Sequence, residues 1–532
     1  MLKEDNFSEY ASDDAKIQIF DITSQGWREK LFESLDPPFD LVKQPFVGQL
    51  PFLHILDLAQ NKLHAEVAII EPYTSTDWNE EYGHLYSRTF YSVPRDTTRI
   101  HFFKTPYSEI KIQDFFVMSE KLIKSYLGYF VIRPLQNFRV GDTFLASPCA
   151  LNDMGKDLVH CLAENKVSLL GNWLKITGMP FFQQETSVGV CAEADLWMIA
   201  RYFNKKGVTR RHRPAEITDV ATKNLTIGPA REGLMDMQML DALRQLGLNP
   251  YILYSKNATE AKEFIYTCIE SELPVIAGIP GDALVPGHVL LVIGHDYKKK
   301  PLKTMSEAVG SFIVHDDSTG PYQEMEVGID SKKGKGKVED DGGEAPTFLT
   351  LDGNVIDFCI SHLPPRVNLN WNDAIGHAKL LIEQIRDRII ESLQPEFDIG
   401  KADLWKDEDL EDLVFRTYLR PSSKFKADLL EGEHKRHPNI IAKYRCMRMP
   451  KYLWVIELSR KSELEAKDLY ARKIYGEILF DSTGNRHVPS ETFMAFHLNG
   501  IMYTEGQNNL CPELIIEDAS PYTPLQRSTS VC

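Results

Sequence analysis
The chain has 532 residues, more than a single hydrophobic core accommodates, so two to four domains are expected. Hydrophobic residues at 43% and aromatics at 10% are ordinary values that allow a sizeable core. A formal net charge of −16, with no dominating basic stripe, argues against a general nucleic-acid binder.

Eight cysteines, at 149, 161, 191, 268, 359, 446, 511 and 532, are scattered without a CxxC pair or a close Cys/His cluster. This disfavours both a zinc ribbon and a disulfide framework. The first residues, MLKEDNFSEYASDDAK, are polar and acidic with no apolar stretch behind them. No apolar run approaches the roughly 20 residues that a spanning helix needs. The expectation is a cytoplasmic protein with mostly free thiols, no membrane partner and no cofactor or metal.

In chain order, residues 1–150 read as a mixed α/β region. Strand-like pieces are HAEVAIIEPY (64–73), TTRIHFFKT (97–105) and YLGYFVIRPL (126–135). DFFVMSEKLIKS (114–125) has helical spacing, with Phe115, Met118, Leu122 and Ile123 on one side. Prolines 37, 38 and 45 punctuate the start. KVSLLGNWLKITGMPFF (166–182) reads as two short strands leading into MPFFQQETSVGVCAEADLWMIARYF (179–203). There a long apolar segment after Cys191 predicts a central helix, with Leu196, Ile199, Ala200 and Phe203 on one face, ending near Asn204 and Gly207.

Downstream, GLMDMQMLDALRQLG (233–247) and ATEAKEFIYTCIESE (258–272) read as helices, and PYILY (250–254), PVIAGI (274–279) and HVLLVIGHDY (288–297) as strands. SFIVHDDSTGPY (311–322) follows, and FLTLDGNVIDFCI (348–360) resumes strand character. Between them, 326–346 is polar, glycine-rich and charged in blocks, so it is expected to be a flexible surface loop, its KKGKGK run solvated rather than nucleic-acid binding. Pro364 and Pro365 suggest a boundary. The C-terminal α/β region, 366–532, opens on a strong amphipathic helix at 373–393 and continues with sheet-like segments at 451–459, 475–483 and 492–500.

Three pieces converge on one chemistry. Cys191 precedes a helix, where orphan N–H groups and the helix dipole favour a thiolate. His288 begins an apolar strand that would hold an imidazole rigidly, and Asp316 ends the next strand before a DSTG turn. A nucleophilic cysteine needs a base to take its proton and a carboxylate or amide to fix the base's tautomer. Gln184, upstream of the thiol, is a candidate donor to an oxyanion alongside the Cys191 N–H.

The run PFFQQ…CAEADLWM, with GHVLLVIGHDY and FIVHDDSTGPY, resembles the papain-like cysteine peptidases of the bacteriocin-processing, double-glycine leader type. The resemblance covers roughly residues 170–362. It implies an α+β, papain-like central domain, taken as 151–365, flanked by the α/β regions 1–150 and 366–532. It also implies Gln184 as the oxyanion donor, Cys191 as nucleophile, His288 as base and Asp316 as the orienting acid. The implied reaction is hydrolysis of a peptide or isopeptide bond in a peptide or protein substrate. Ala192 stands where the family usually has Gly, and Asp317 where Pro is usual. No transporter domain or P-loop is attached, so leader removal coupled to export is not implied.

Other assignments stay open. Cys191 also reads as a buried structural thiol, Gln183 competes with Gln184, and Asp317 with Asp316. His295 and His315 are rival histidines read as structural, and Glu193 reads as a first-turn residue that suits the helix dipole. The same triad would also serve acyl transfer or amidase chemistry, and a catalytically silent papain-like domain would serve as a binding or sensing module.

Overall fold
The computed structural model describes residues 17–516 apart from 36–46, 91, 149–157, 185–191, 224–233, 256, 282–286, 331–346, 393–410, 431–436, 466–468, 471, 485–487, 499–500 and 505–512. Three antiparallel sheets and a separate two-stranded ribbon alternate with helices, an α+β arrangement.

The first sheet is built from β1 (Gln18–Asp21), β2 (Val67–Tyr73), β3 (Thr97–Phe103), β4 (Tyr126–Ile132) and β5 (Val140–Leu145). The ribbon β6 (Ala163–Leu169) and β7 (Asn172–Gly178) comes next, and β8 (Pro180–Phe181) closes the first sheet by pairing with β5. Neighbours in sequence are neighbours in space throughout β1–β5, the pattern of a meander.

The second sheet takes β9 (Pro250–Tyr254), β10 (Val275–Ile279), β11 (His288–Tyr297), β12 (Val309–Asp316), β13 (Gly320–Asp330), β14 (Phe348–Leu351), β15 (Asn354–Val355) and β16 (Phe358–His362). Its order is β15-β14-β13-β12-β11-β10-β16-β9. Strands β11 and β12 lie at its middle, and apart from His288 every residue of both is buried. That two-sided burial accounts for their near-continuous apolar sequence where a half-exposed strand would alternate. The register of β11 slips between Val292 and Gly294. Gly294 bridges Val159 there, and a Cβ on it would lie 2.2 Å from the Leu158 carbonyl oxygen, so only glycine admits the crossing chain.

The third sheet is β17 (Leu413–Pro421), β18 (Tyr452–Arg460), β19 (Gly476–Asp481), β20 (Phe493–Leu498), β21 (Ile501–Thr504) and β22 (Glu513–Ile516), in that order. The helix Ala258–Glu270 packs against both β11 and β17 and so joins the second sheet to the third. The central helix, Glu193–Lys205, is buried from Glu193 to Phe203, with Leu196, Met198 and Tyr202 fully enclosed. Apart from Glu193, Asp195 and Arg201 those buried side chains are apolar or aromatic, as suits an interior helix, and this one packs on β6, β8 and β11.

Two expected elements differ. The helix expected over 114–125 is a 3-10 turn at Ile112–Phe115 and a short helix at Glu120–Lys124. Ser119 starts the second piece, because its hydroxyl accepts the Leu122 N–H at 3.2 Å. The loop expected at 326–346 begins later: Glu326–Asp330 is the second half of β13, and Val327–Asp330 pair with β14. Residues 331–346 lie outside the described residues.

Candidate active site
His288 is the first residue of β11, and Asp316 the last of β12. The register pairs Leu291 with His315, which sets Leu290 against Asp316 and makes His288 the diagonal neighbour on the same face. Their side chains meet across that diagonal, His288 Nε2 lying 2.9 Å from Asp316 Oδ1. Asp316 is held from its own turn as well: the Ser318 N–H donates to Oδ1 at 2.9 Å and the Thr319 hydroxyl to Oδ2 at 2.8 Å. Asp317 Oδ1 stands farther off, 3.9 Å from the same ring nitrogen.

Burial alone would raise the Asp316 carboxyl, but the hydrogen bond and charge of His288, with the Ser318 and Thr319 donors, outweigh it and hold the group below the usual carboxylate range. Burial likewise disfavours the imidazolium of His288, yet the bond to Asp316 and the charges of Asp316 and Asp317 more than offset it, so its pKa lies above the ordinary histidine value. With Asp316 ionised, Nε2 carries the proton and donates, which leaves Nδ1 as the basic nitrogen. About a third of the imidazole side chain reaches solvent. A base so poised can accept a proton from a thiol or a water.

The two glutamines are both buried but differ in their bonding. Gln183 is satisfied on the first sheet: its amide oxygen accepts the Val140 N–H at 3.1 Å and its amide nitrogen donates to the Gly48 carbonyl at 3.0 Å. The Gln184 amide, 4% exposed, has no hydrogen-bond partner among the described residues on either its oxygen or its nitrogen. A buried amide left unmade costs about 1–3 kcal/mol, so it calls for an explanation.

Cys191 lies outside the described residues, as do 185–190. The described chain resumes at Ala192, which caps the central helix with φ 81° and ψ −2° in the left-handed region, its carbonyl accepting the Leu196 N–H at 3.1 Å. Only glycine takes that conformation without cost, so the alanine there is held in a strained backbone conformation. Glu193 sits in the first helical turn and accepts a hydrogen bond from the Thr218 hydroxyl.

Asp195, one helical turn beyond position 191, was not singled out from sequence. It is 1% exposed, and neither carboxyl oxygen bonds to another of the described residues. Burial, then the charges of Asp317 and Asp316, push its pKa well above the ordinary carboxylate value. The central helix packs on β11, the strand that His288 begins. The signal was present: an aspartate inside the otherwise apolar run ADLWMIA.

The rival histidines are enclosed. His315 is fully buried between Phe181 and Tyr322, and burial drives its pKa down to about 3. His295 is bonded at 2.7 Å to Glu270 deep in the fold. Of the described cysteines, Cys161, Cys268 and Cys359 are buried and Cys446 is exposed. Burial pushes the Cys268 thiol up to about 12, so it is inert as a nucleophile at neutral pH. Two sets of side chains, His288–Asp316–Asp317 and His160–Glu270–His295, bring potential ligand atoms within 4.8 Å of one another. In the second set the His160 and His295 rings stack at 4.4 Å with 18° between planes, which does not aim their in-plane lone pairs at a common point.

No protein-family model matches the chain, and neither does any curated protein. Among solved structures, the chain is similar to the peptidase domain of Streptococcus ComA, described as a bi-functional ABC transporter involved in a quorum-sensing pathway. The identity is 12%, over 35% of this chain and 97% of that one, with a TM-score of 0.20. A likeness that slight assigns neither fold nor activity. No helix among the described residues is long and apolar enough to cross a membrane.

Proposed function
We propose that this chain is a papain-like cysteine peptidase whose site is Cys191, His288, Asp316 and Gln184. One observation carries the reading: His288 bonds Asp316 through Nε2, which leaves Nδ1 as the proton acceptor, on a strand against which packs a buried helix that starts two residues after a cysteine. In this scheme Nδ1 takes the thiol proton of Cys191, and the thiolate attacks a peptide or isopeptide carbonyl. The imidazolium then protonates the leaving amine, and water, activated by the same nitrogen, releases the acyl group. The unpartnered amide of Gln184 supports its assignment as oxyanion donor over the saturated Gln183.

Asp316 is favoured over Asp317 as the orienting acid by its shorter approach to the ring, 2.9 Å against 3.9 Å, and by its depressed pKa. The test is alkylation by iodoacetamide at pH 7, followed by mass spectrometry of each cysteine-bearing peptide. Cys191 is expected to react at least tenfold faster than the exposed Cys446, and His288→Ala to erase that advantage. Equal rates at the two cysteines in the natural protein would end the proposal.

A further inference from the structure
Away from His288, Asp316 and Gln184, a cavity of about 850 Å³ opens between one end of the first sheet and the β6–β7 ribbon. Its size suits a small organic ligand. Its floor is apolar, with Leu63, Tyr126 and Ile176 buried and Leu127 and Ala146 partly so. Its rim carries five exposed lysines, Lys62, Lys104, Lys124, Lys166 and Lys175.

No aspartate or glutamate lines the cavity, although the chain holds 76 acidic residues against 60 lysines and arginines. Lys124 pairs with Glu120 at 2.7 Å and Lys175 with Glu164 at 3.4 Å, both glutamates standing outside the lining. Lys62, Lys104 and Lys166 have no ion-pair partner among the described residues.

The ribbon supplies a second, independent observation. Its register sets Lys166 directly opposite Lys175, with both side chains on the exposed face. Like charges in that position repel and weaken a two-stranded ribbon. Beside them Trp173, opposite Ser168, leaves 70% of its surface open at the cavity rim. The exposed Lys175–Glu164 pair offsets little of this repulsion, whereas an incoming anion turns it into attraction.

We propose that the cavity binds a small anionic amphiphile, its apolar body on the Leu63–Tyr126–Ile176 floor and its carboxylate or phosphate at the Lys166–Lys175 pair. An acyl chain and a nucleoside monophosphate both have this chemistry, and the probes separate them.

Isothermal titration of the full chain at low salt with dodecanoate, adenosine 5′-monophosphate and inorganic phosphate is the experiment. Saturable binding of dodecanoate or of the nucleotide, tighter than 1 mM and weakened at least tenfold in a Lys166→Ala/Lys175→Ala variant, is expected. Whichever probe binds names the source. The variant removes two exposed, mutually repelling charges and, with Lys175, one exposed ion pair of little weight, so its melting temperature is expected to change little. Three results overturn the proposal: neither amphiphile binding below 1 mM, inorganic phosphate binding as tightly as the amphiphiles, or a double variant that binds undiminished.

Discussion

At the scale of single residues, Asp316 and Asp317 are adjacent carboxyls with opposite linkage to stability. Asp316 has a depressed pKa, so it contributes stability above its unfolded value near 3.9, lost as pH falls through the folded value. Asp317 is pushed up to about 6 by burial and the Asp316 charge, only partly offset by His288. Between about pH 4 and 6 the folded protein therefore holds a proton at Asp317 that the unfolded chain has lost. This group's stability falls across that window and stays low at neutral pH, by on the order of 1–3 kcal/mol. Asp317→Asn is expected to recover that amount at pH 7 and nothing at pH 4, whereas Asp316→Asn is expected to destabilise at pH 7. Urea unfolding at pH 4, 5, 6 and 7 reads both, and a gain for Asp317→Asn that does not grow with pH would contradict the assignment. The choice between the two was not legible in sequence. Asp316 ends β12 and Asp317 opens the turn that follows, so which carboxyl lies nearer His288 depends on the β11–β12 register, and a bulge between Val292 and Gly294 alters that register within β11. The glutamine pair was closed to sequence reading for a similar reason, since the groups that saturate Gln183 are Val140 and Gly48, 43 and 135 positions away.

At the scale of elements, the reading succeeded where one period dominated. HVLLVIGHDY is β11 from first residue to last, and the central helix ends at Lys205, beside the expected Asn204 and Gly207. It failed where polar content masked a period of two: Glu324-Met325-Glu326-Val327 alternates as a strand does, yet the following charge blocks made it look like loop. It also failed at 114–125, where Ser119 serves as a cap rather than a helix-interior residue. The start of the central helix yields a prediction of its own. Ala192 is held at φ 81° and 5% exposed, with no side-chain cap on the helix. A left-handed alanine costs about 1–2 kcal/mol, and glycine's freedom in the unfolded chain costs about 0.4–1 kcal/mol. Ala192→Gly is accordingly expected to stabilise the protein by roughly 0.5–1 kcal/mol. Denaturant midpoints at constant slope would show it, and a loss of stability would mean that the alanine methyl packs to more effect than its backbone strain costs.

At the scale of the whole molecule, the third sheet is tied to the strand that carries His288. His295, seven residues along β11, bonds Glu270 at 2.7 Å. The other oxygen of Glu270 takes the Nε of Arg416 on β17 at 2.8 Å and its Nη2 as well. Arg416 Nη1 reaches Glu457 on β18 at 2.8 Å, and Arg472 meets the same oxygen at 3.0 Å. The Tyr418 hydroxyl donates to the remaining Glu457 oxygen at 3.0 Å. All of these groups are buried. A buried ion network of this kind adds little net stability over an apolar replacement, but removing one member strands its partners. Arg416→Ala removes the cation that Glu270 and Glu457 share, so a loss of about 3–5 kcal/mol is expected. The loss is also expected to be local to the brace: amides of β11 between Val289 and Tyr297 should exchange with solvent faster, while those of β2 and β3 in the first sheet keep their protection. Hydrogen exchange read by mass spectrometry distinguishes the two regions. Uniform acceleration across all three sheets would mean that Arg416 supports global stability alone. Acceleration confined to β11 and its neighbours would show that the C-terminal sheet holds the histidine-bearing strand in place, which gives a region remote from the site a direct mechanical part in it.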